Sequence, residues 1–479
     1  MYSFSKYKKV GLLLGPLLFI LLQVLPPFII NEEVQNVISV AAWMIVWWLT
    51  EPVSISVTAL IPLVLFPLFG IMDIKETSGN YGSHIVYLFF GGFVMALALE
   101  KVNLHKRIAL NIIKRTGTSP DRVVLGFMLA TALLSMWISN TASTVVMLPI
   151  AIQVINLLIH DQDGFTEKDQ NFALSIMLAI AFSANIGGTA TLIGTPPNVV
   201  LTGIIENEYG IQISFVNWMV MGIPFALMML AVCFFVVVKW IYPSHLKALN
   251  NADEIIDKAI SDLGPINKKE AIVLIVFSIT ILLWILRAQL NNWFGLSLSD
   301  TGISMMAALA LFTITHDFNK GGFILDWKDT EKLPWGILIL FGGGLALASG
   351  LSKVGFIDLI GQSIASNQNL SIIMIISLLI LVMLFMTELV SNVALVAIFV
   401  PVVAAIAIGL NVPVLHVCVP VTLASSCAFM LPMATPPNAI VFASGYIKVY
   451  QMAKVGFILN IIAVALLILY SKFVIQHFF

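Results

Sequence analysis

The chain has 479 residues, of which 59% are apolar and only 10% charged, with a mean hydropathy of +1.01; soluble domains carry roughly a quarter charged residues. This composition excludes an ordinary water-soluble globule and implies an all-α polytopic membrane protein whose first partner is the lipid bilayer, with room for about a dozen spans of ~20 residues. The net charge of −1, from 24 Lys and Arg against 25 Asp and Glu, and the lack of any basic tract argue against nucleic-acid binding, while Cys233, Cys418 and Cys427 all sit in apolar runs and suggest neither a disulfide framework nor a metal site.

In chain order, the first apolar stretch, about 10–30, follows Lys6, Lys8 and Lys9. It has the length of a full span and no small-residue cleavage site, so it reads as a first helix and not as a signal peptide. Further spans are predicted near 38–50, 53–70, 84–101, 171–205, 213–238, 271–289, 300–315, 334–352, 413–445 and 452–477. Two blocks, about 121–158 and 369–409, are each too long for one span and polar at the centre. The first carries Ser135, Ser139, Asn140, Thr141, Ser143 and Thr144, the second Thr387, Glu388, Ser391 and Asn392. A re-entrant hairpin turning at the Ser-Asn pair accounts for both the length and the polar centre. With a cytoplasmic N-terminus and both hairpins returning to their own side, only Lys75, Arg287, Lys353 and Lys472 fall outside the cytoplasmic segments.

An internal repeat runs through these elements. Phe90-Gly91-Gly92 recurs as Phe341-Gly342-Gly343, Ser139-Asn140-Thr141 as Ser391-Asn392-Val393, and Gly194-Thr195-Pro196-Pro197-Asn198 as Ala434-Thr435-Pro436-Pro437-Asn438. An odd number of crossings separates corresponding points, so the second copy is inverted, a construction typical of transporters. Two adjacent prolines cannot both lie inside a helix. The helix must break at Gly194–Pro197 and again at Ala434–Pro437, with Thr195 and Thr435 placed to start short second half-helices. Such breaks at membrane depth persist where freed backbone groups face protein, water or a ligand. At a hairpin tip, helix C-terminal carbonyls suit a cation and N-terminal N–H groups an anion. Asn and Ser add neutral oxygens and donors. The competing reading, polar contacts that merely hold packed helices together, is weakened by the joint recurrence.

Paired Ser-Asn motifs, each followed by a Thr-Pro-Pro-Asn break in an inverted repeat, resemble the divalent anion/sodium symporter (DASS) family over nearly the whole chain. The resemblance implies a homodimeric elevator-type transporter with about 11 transmembrane helices and two re-entrant hairpins, with sodium as coupling ion and no other cofactor. Its substrates would be dicarboxylates such as succinate, sometimes citrate or sulfate. It implies one sodium site at Ser135, Ser139, Asn140 and Gly194, and a second at Thr387, Ser391, Asn392 and Ala434. Substrate carboxylates would meet Asn140, Thr141, Thr195, Asn392, Thr435 and Pro436. Val393 stands where the family commonly has Thr, which removes a hydroxyl from the second tip and bears on substrate preference.

On this basis the chain divides into an N-terminal helix (1–37), a first inverted repeat (38–240, scaffold 38–101 and transport part 119–240), a cytoplasmic linker (241–270), and a second repeat (271–479, scaffold 271–352 and transport part 369–479). The implied location is the plasma membrane. Sodium-coupled dicarboxylate symport and sodium-independent dicarboxylate exchange by the same fold both remain open, whereas a channel or scaffold fits paired broken helices poorly. Glu51 and Glu100 are expected at helix ends. Glu388 could equally shape the second tip or balance bound cations. His105, His160, His245 and His316 are expected in solvated loops. No metalloprotease, Walker or nucleophile-elbow motif occurs, so the chain is not read as an enzyme.

Overall fold

A computed structural model describes residues 6–24, 32–117, 119–159, 166–246, 252–317, 321–357, 359 and 371–475. Among the described residues, seven helices are each long and apolar enough to cross a bilayer, from Ile74–Lys101 to Val449–Phe473. Other predicted spans are present as shorter pieces for identifiable reasons. The span near 53–70 is divided into Ile55–Thr58 and Ile61–Leu68, the second opened by Pro62 in its first turn. The first helix is Lys6–Val24. The next begins at Glu32, so the boundary at 37/38 cuts through Glu32–Thr50.

The two polar-centred blocks each form a pair of helices joined by a short turn. Pro120–Ser135 and Asn140–Ile159 make the first hairpin; Ile372–Met386 and Asn392–Gly409 make the second. At ~1.5 Å per residue, first arms of 16 and 15 residues fall short of a ~30 Å hydrocarbon core. Neither arm can therefore cross the bilayer alone, and the polar turns between the arms stay partly open, with Ser139, Thr141 and Leu389 exposed.

The broken helices follow. Glu167–Gly188 stops at Gly187-Gly188; one 3-10 turn, Leu192–Gly194, leads into Pro196–Tyr209. In the second half, Val414–Ser425 stops before an irregular stretch, and Pro436–Ala443 resumes with the Thr435 hydroxyl accepting the Asn438 N–H. The apolar window of Glu167–Gly188 is 94% buried against 22% for Lys268–Phe294, which places the first broken helix at the centre and the latter on the outer surface of the chain. The inner helices of the two halves pack on each other, Glu167–Gly188 against Pro436–Ala443 and Pro196–Tyr209 against Asn392–Gly409.

Three surface expectations are corrected. Leu104–Thr116, expected as loop, is an amphipathic helix that buries Leu104, Ala109, Leu110 and Ile113 and exposes Lys114 and Arg115. His105 is not solvated; it is 5% exposed, its Nδ1 is 2.9 Å from the Leu99 carbonyl oxygen, and burial holds its imidazole below the ordinary pKa despite that bond. The 241–270 linker contains a helix, Ala252–Asp262, tied to the amphipathic one by Lys114 and Asp257 at 2.6 Å. The same amphipathic helix is anchored by Arg107, buried with its Nε donating to Glu270 at 2.8 Å. His316 lies on a small β-hairpin, Thr315–Asp317 with Gly322–Phe323, half-buried, and His245 is exposed. His160 lies outside the described residues.

Candidate functional site

The polar turns and helix breaks converge on one cavity of about 1200 Å³. Asn140, Thr141, Thr195, Asn392, Val393, Thr435 and Pro436 all line it, as do Ser139, Gly194, Ser391 and Ala434. The cavity thus gathers the first turns of four helices, those starting at Asn140, Pro196, Asn392 and Pro436. First-turn N–H groups have no intrahelical acceptor, and the helix dipole is positive there. A dianion could be held by backbone donors and neutral side chains without a buried cationic residue.

Ser135 and Thr387, fully buried, lie behind the tips and perform matching tasks. Ser135 Oγ lies 2.6 Å from the Asn140 amide and 2.7 Å from the Ala184 carbonyl oxygen, and its single proton serves one of the two at a time. Thr387 Oγ1 lies 2.6 Å from Asn392 Oδ1 and 2.7 Å from the Ser425 carbonyl oxygen, again with one proton for the two. In each half, a hydroxyl near the end of one hairpin arm joins the Asn that opens the other arm to the last turn of a broken helix. At the first tip the Asn140 amide oxygen also faces the carbonyl oxygens of Gly194 and Ala184, both at 3.3 Å. Oxygens so crowded repel unless a cation sits among them; turned over, the amide would donate to the same three oxygens and close the cluster without one. Gly188 is required beside this cluster, since a Cβ there would stand 2.6 Å from Asn140 Oδ1. The Ser139 hydroxyl accepts the Ala142 N–H at 3.1 Å, capping the second arm.

Residues without an assigned role in the sequence reading hold the breaks open. Asn198 Nδ2 donates to the carbonyls of Gly188 and Thr191, at 3.2 and 2.8 Å. Asn438 Nδ2 does the same for Ala428 and Leu431, at 3.0 and 3.1 Å. The signal was present in sequence, as the Asn ending both Thr-Pro-Pro-Asn motifs, but proline chemistry alone does not show what that Asn closes. Replacing Asn198 or Asn438 by Ala removes two hydrogen bonds from the break it spans, at a cost of about 0.5–1.5 kcal/mol for each. Each variant should melt at lower temperature than the parent when purified, whereas Asn140→Ala should melt near the parent.

Glu388 is 3% exposed and belongs to the second break. Its carboxylate accepts the backbone N–H groups of Phe429, Met430 and Leu431 at 2.8, 2.9 and 3.0 Å, and the Asn460 amide at 2.7 Å. It therefore shapes the irregular stretch behind the tip. Towards its charged end the cavity is lined by Lys8, Lys101, Lys332 and Asp329. Lys101 Nζ lies 2.6 Å from Asp329. Burial works to raise the Asp329 pKa, but this contact and the Asp326 N–H outweigh it and hold the carboxyl below the ordinary range. Glu51 and Glu100 also line the cavity.

The family profile described as "Sodium:sulfate symporter transmembrane region" matches residues 6–476. The chain belongs to the divalent anion/sodium symporter family. It is 39% identical to the sodium-dependent dicarboxylate transporter SdcS of Staphylococcus saprophyticus, over 99% of this chain and 92% of that protein. Identity is also 39% to SdcS of Staphylococcus aureus, over 98% of this chain and 92% of the relative. Among solved structures, MtrF of Neisseria gonorrhoeae matches with a TM-score of 0.59 at 11% identity, covering 96% of this chain and 97% of that one. The YdaH transporter of Alcanivorax borkumensis matches at 0.58 and 14% identity, covering 84% and 87%. At that identity the two structures speak for the fold alone. Like its family, the chain is a multi-pass membrane transporter and not an enzyme.

Proposed function

We propose that this DASS-family chain carries C4-type dicarboxylates such as succinate across the plasma membrane by sodium-coupled symport. The observation that carries the reading is the pairing of two hydroxyl–Asn–carbonyl clusters, one behind each tip, with four helix N-termini around one cavity. Sodium would enter the oxygen cluster of Ser135, Asn140 and Gly194 with Ser139 at its rim, and its counterpart at Thr387, Asn392, Ser391 and Ala434. The carboxylates would meet Asn140, Thr141, Thr195, Asn392, Thr435 and Pro436. Cations and dianion then offset one another, so no large uncompensated charge crosses the bilayer. The names of the SdcS relatives, 39% identical, support both sodium and dicarboxylate.

The same reading assigns 38–101 and 271–352 to a dimerising scaffold and 119–240 and 369–479 to a block that slides across the membrane. The inner helices meet the scaffold through small residues: a Cβ on Gly203 would touch Leu345, and one on Gly344 would touch Ala397. With the N-terminus cytoplasmic, the lysine-lined end of the cavity faces inward.

Uptake of labelled succinate into proteoliposomes separates symport from exchange. Symport gives uptake into vesicles without internal succinate, driven by an inward sodium gradient; uptake that requires internal succinate and ignores sodium would establish the exchanger instead. Val393 tests the substrate end of the site. Val and Thr are close in shape, so Val393→Thr adds one hydrogen-bonding group. The ranking of succinate, malate, oxoglutarate and citrate as competitors should shift while protein abundance stays near the parent's. An unchanged ranking would place residue 393 away from the substrate.

A further inference from the structure

We propose that Asn185 is a positioning residue that couples the first cation cluster to the second helix break; the inference rests on the symport reading. Ala184 and Asn185 are consecutive on the buried, central helix Glu167–Gly188. The Ala184 carbonyl belongs to the first cluster, accepting from Ser135 Oγ at 2.7 Å and facing the Asn140 amide at 3.3 Å. The next side chain points into the other half of the molecule. Asn185 Nδ2 stands 3.0 Å from Thr435 Oγ1, and 3.3 Å from both the Ala428 carbonyl and Asn438 Oδ1. These three acceptors span the second break from the end of its first segment to the start of Pro436–Ala443. Asn185 and Thr435 both border the cavity, and Thr435 is thereby held by a residue of the opposite repeat.

The inverted repeat does not require this link. The Ser425 carbonyl receives the Thr387 hydroxyl as that of Ala184 receives Ser135, while counting back from the Thr-Pro-Pro-Asn motifs pairs Asn185 with Ser425, whose own hydroxyl turns back to the Thr422 carbonyl of its helix at 2.7 Å. The adjacent Ser426 hydroxyl is buried without a partner. The contact therefore runs one way, from the first repeat into the second. Asn185 is 1% exposed, its two amide hydrogens serve three acceptors, and its Oδ1 has no partner. Its geometry is set by the break it holds. A cation that draws the Ala184 carbonyl inward shifts the adjoining Cα and, through the Asn185 amide, the frame carrying Thr435. Coupling of this kind is reciprocal: sodium tightens succinate by the factor with which succinate tightens sodium.

Succinate binding to the purified full-length protein, measured by calorimetry at low and at saturating sodium, tests the inference. In the parent, sodium should tighten succinate. In Asn185→Ser, which copies the residue of the second repeat, and in the near-isosteric Asn185→Leu, that factor should fall about 5-fold or more, with a much smaller change in succinate affinity at low sodium. A merely structural role would weaken succinate alike at both sodium levels, and that outcome overturns the proposal. So does a parent-like sodium factor in either folded variant. A parent protein that binds succinate equally at both sodium levels removes the symport reading, and the coupling with it.

Discussion

Replacing Asn140 or Asn392 by Ala is expected to cut sodium-driven succinate uptake about 10- to 100-fold while leaving the protein folded in the membrane. Each Asn opens the second arm of a hairpin, with its amide 2.6 Å from the hydroxyl behind it. Each also lines the cavity, so the same amide serves a cation cluster and the substrate wall. Removing a hydrogen-bonding partner of a charged group costs about 1.5–3 kcal/mol, which corresponds to that range at about 1.4 kcal/mol per tenfold. The fold should survive because the breaks are closed by other side chains, Asn198 and Asn438. Uptake measured per folded protein decides the matter; near-parent rates in both variants would remove the tips from the site.

The second large effect concerns motion. A Cβ on Gly344 would lie 3.2 Å from the Ala397 Cβ, close to the roughly 3.5–4.5 Å between the Cβ atoms of a disulfide. Gly344 lies on Trp335–Lys353 and Ala397 on the second arm of the second hairpin, so Gly344→Cys with Ala397→Cys bridges scaffold and block. Cys233, Cys418 and Cys427 are buried free thiols and would be replaced in the background. Oxidation should stop turnover almost completely, reduction should restore it, and succinate should still bind to the oxidised protein. Undiminished transport by the cross-linked form would exclude sliding of the block and leave local gating.

Much of this architecture was legible in the sequence because it rests on chemistry that is local. Thr-Pro-Pro-Asn breaks a helix wherever it stands, and a block too long for one span with Ser-Asn at its centre has few other solutions in a bilayer. Both hairpins and both breaks therefore lie where those motifs fall. What depended on tertiary packing was not legible. Leu104–Thr116 lies in a basic stretch that reads as loop, and its apolar stripe becomes meaningful only against the core that covers it. His105 is buried by that same docking. Glu388 could be placed near a tip, but three consecutive N–H groups some forty residues away were needed to show what it holds. Asn185 has no amide counterpart in the second repeat, so the repeat that marks the other polar residues does not mark it.

Sodium influx driven by succinate tests the central claim most directly. Proteoliposomes are loaded with equal sodium on both sides, and succinate is added outside only. If Asn140 and Asn392 bring cation and dicarboxylate into one site, labelled sodium should accumulate inside in step with succinate entry, and Asn140→Ala should lower both fluxes by the same factor. Succinate entry at the parent rate without any sodium movement would contradict the account.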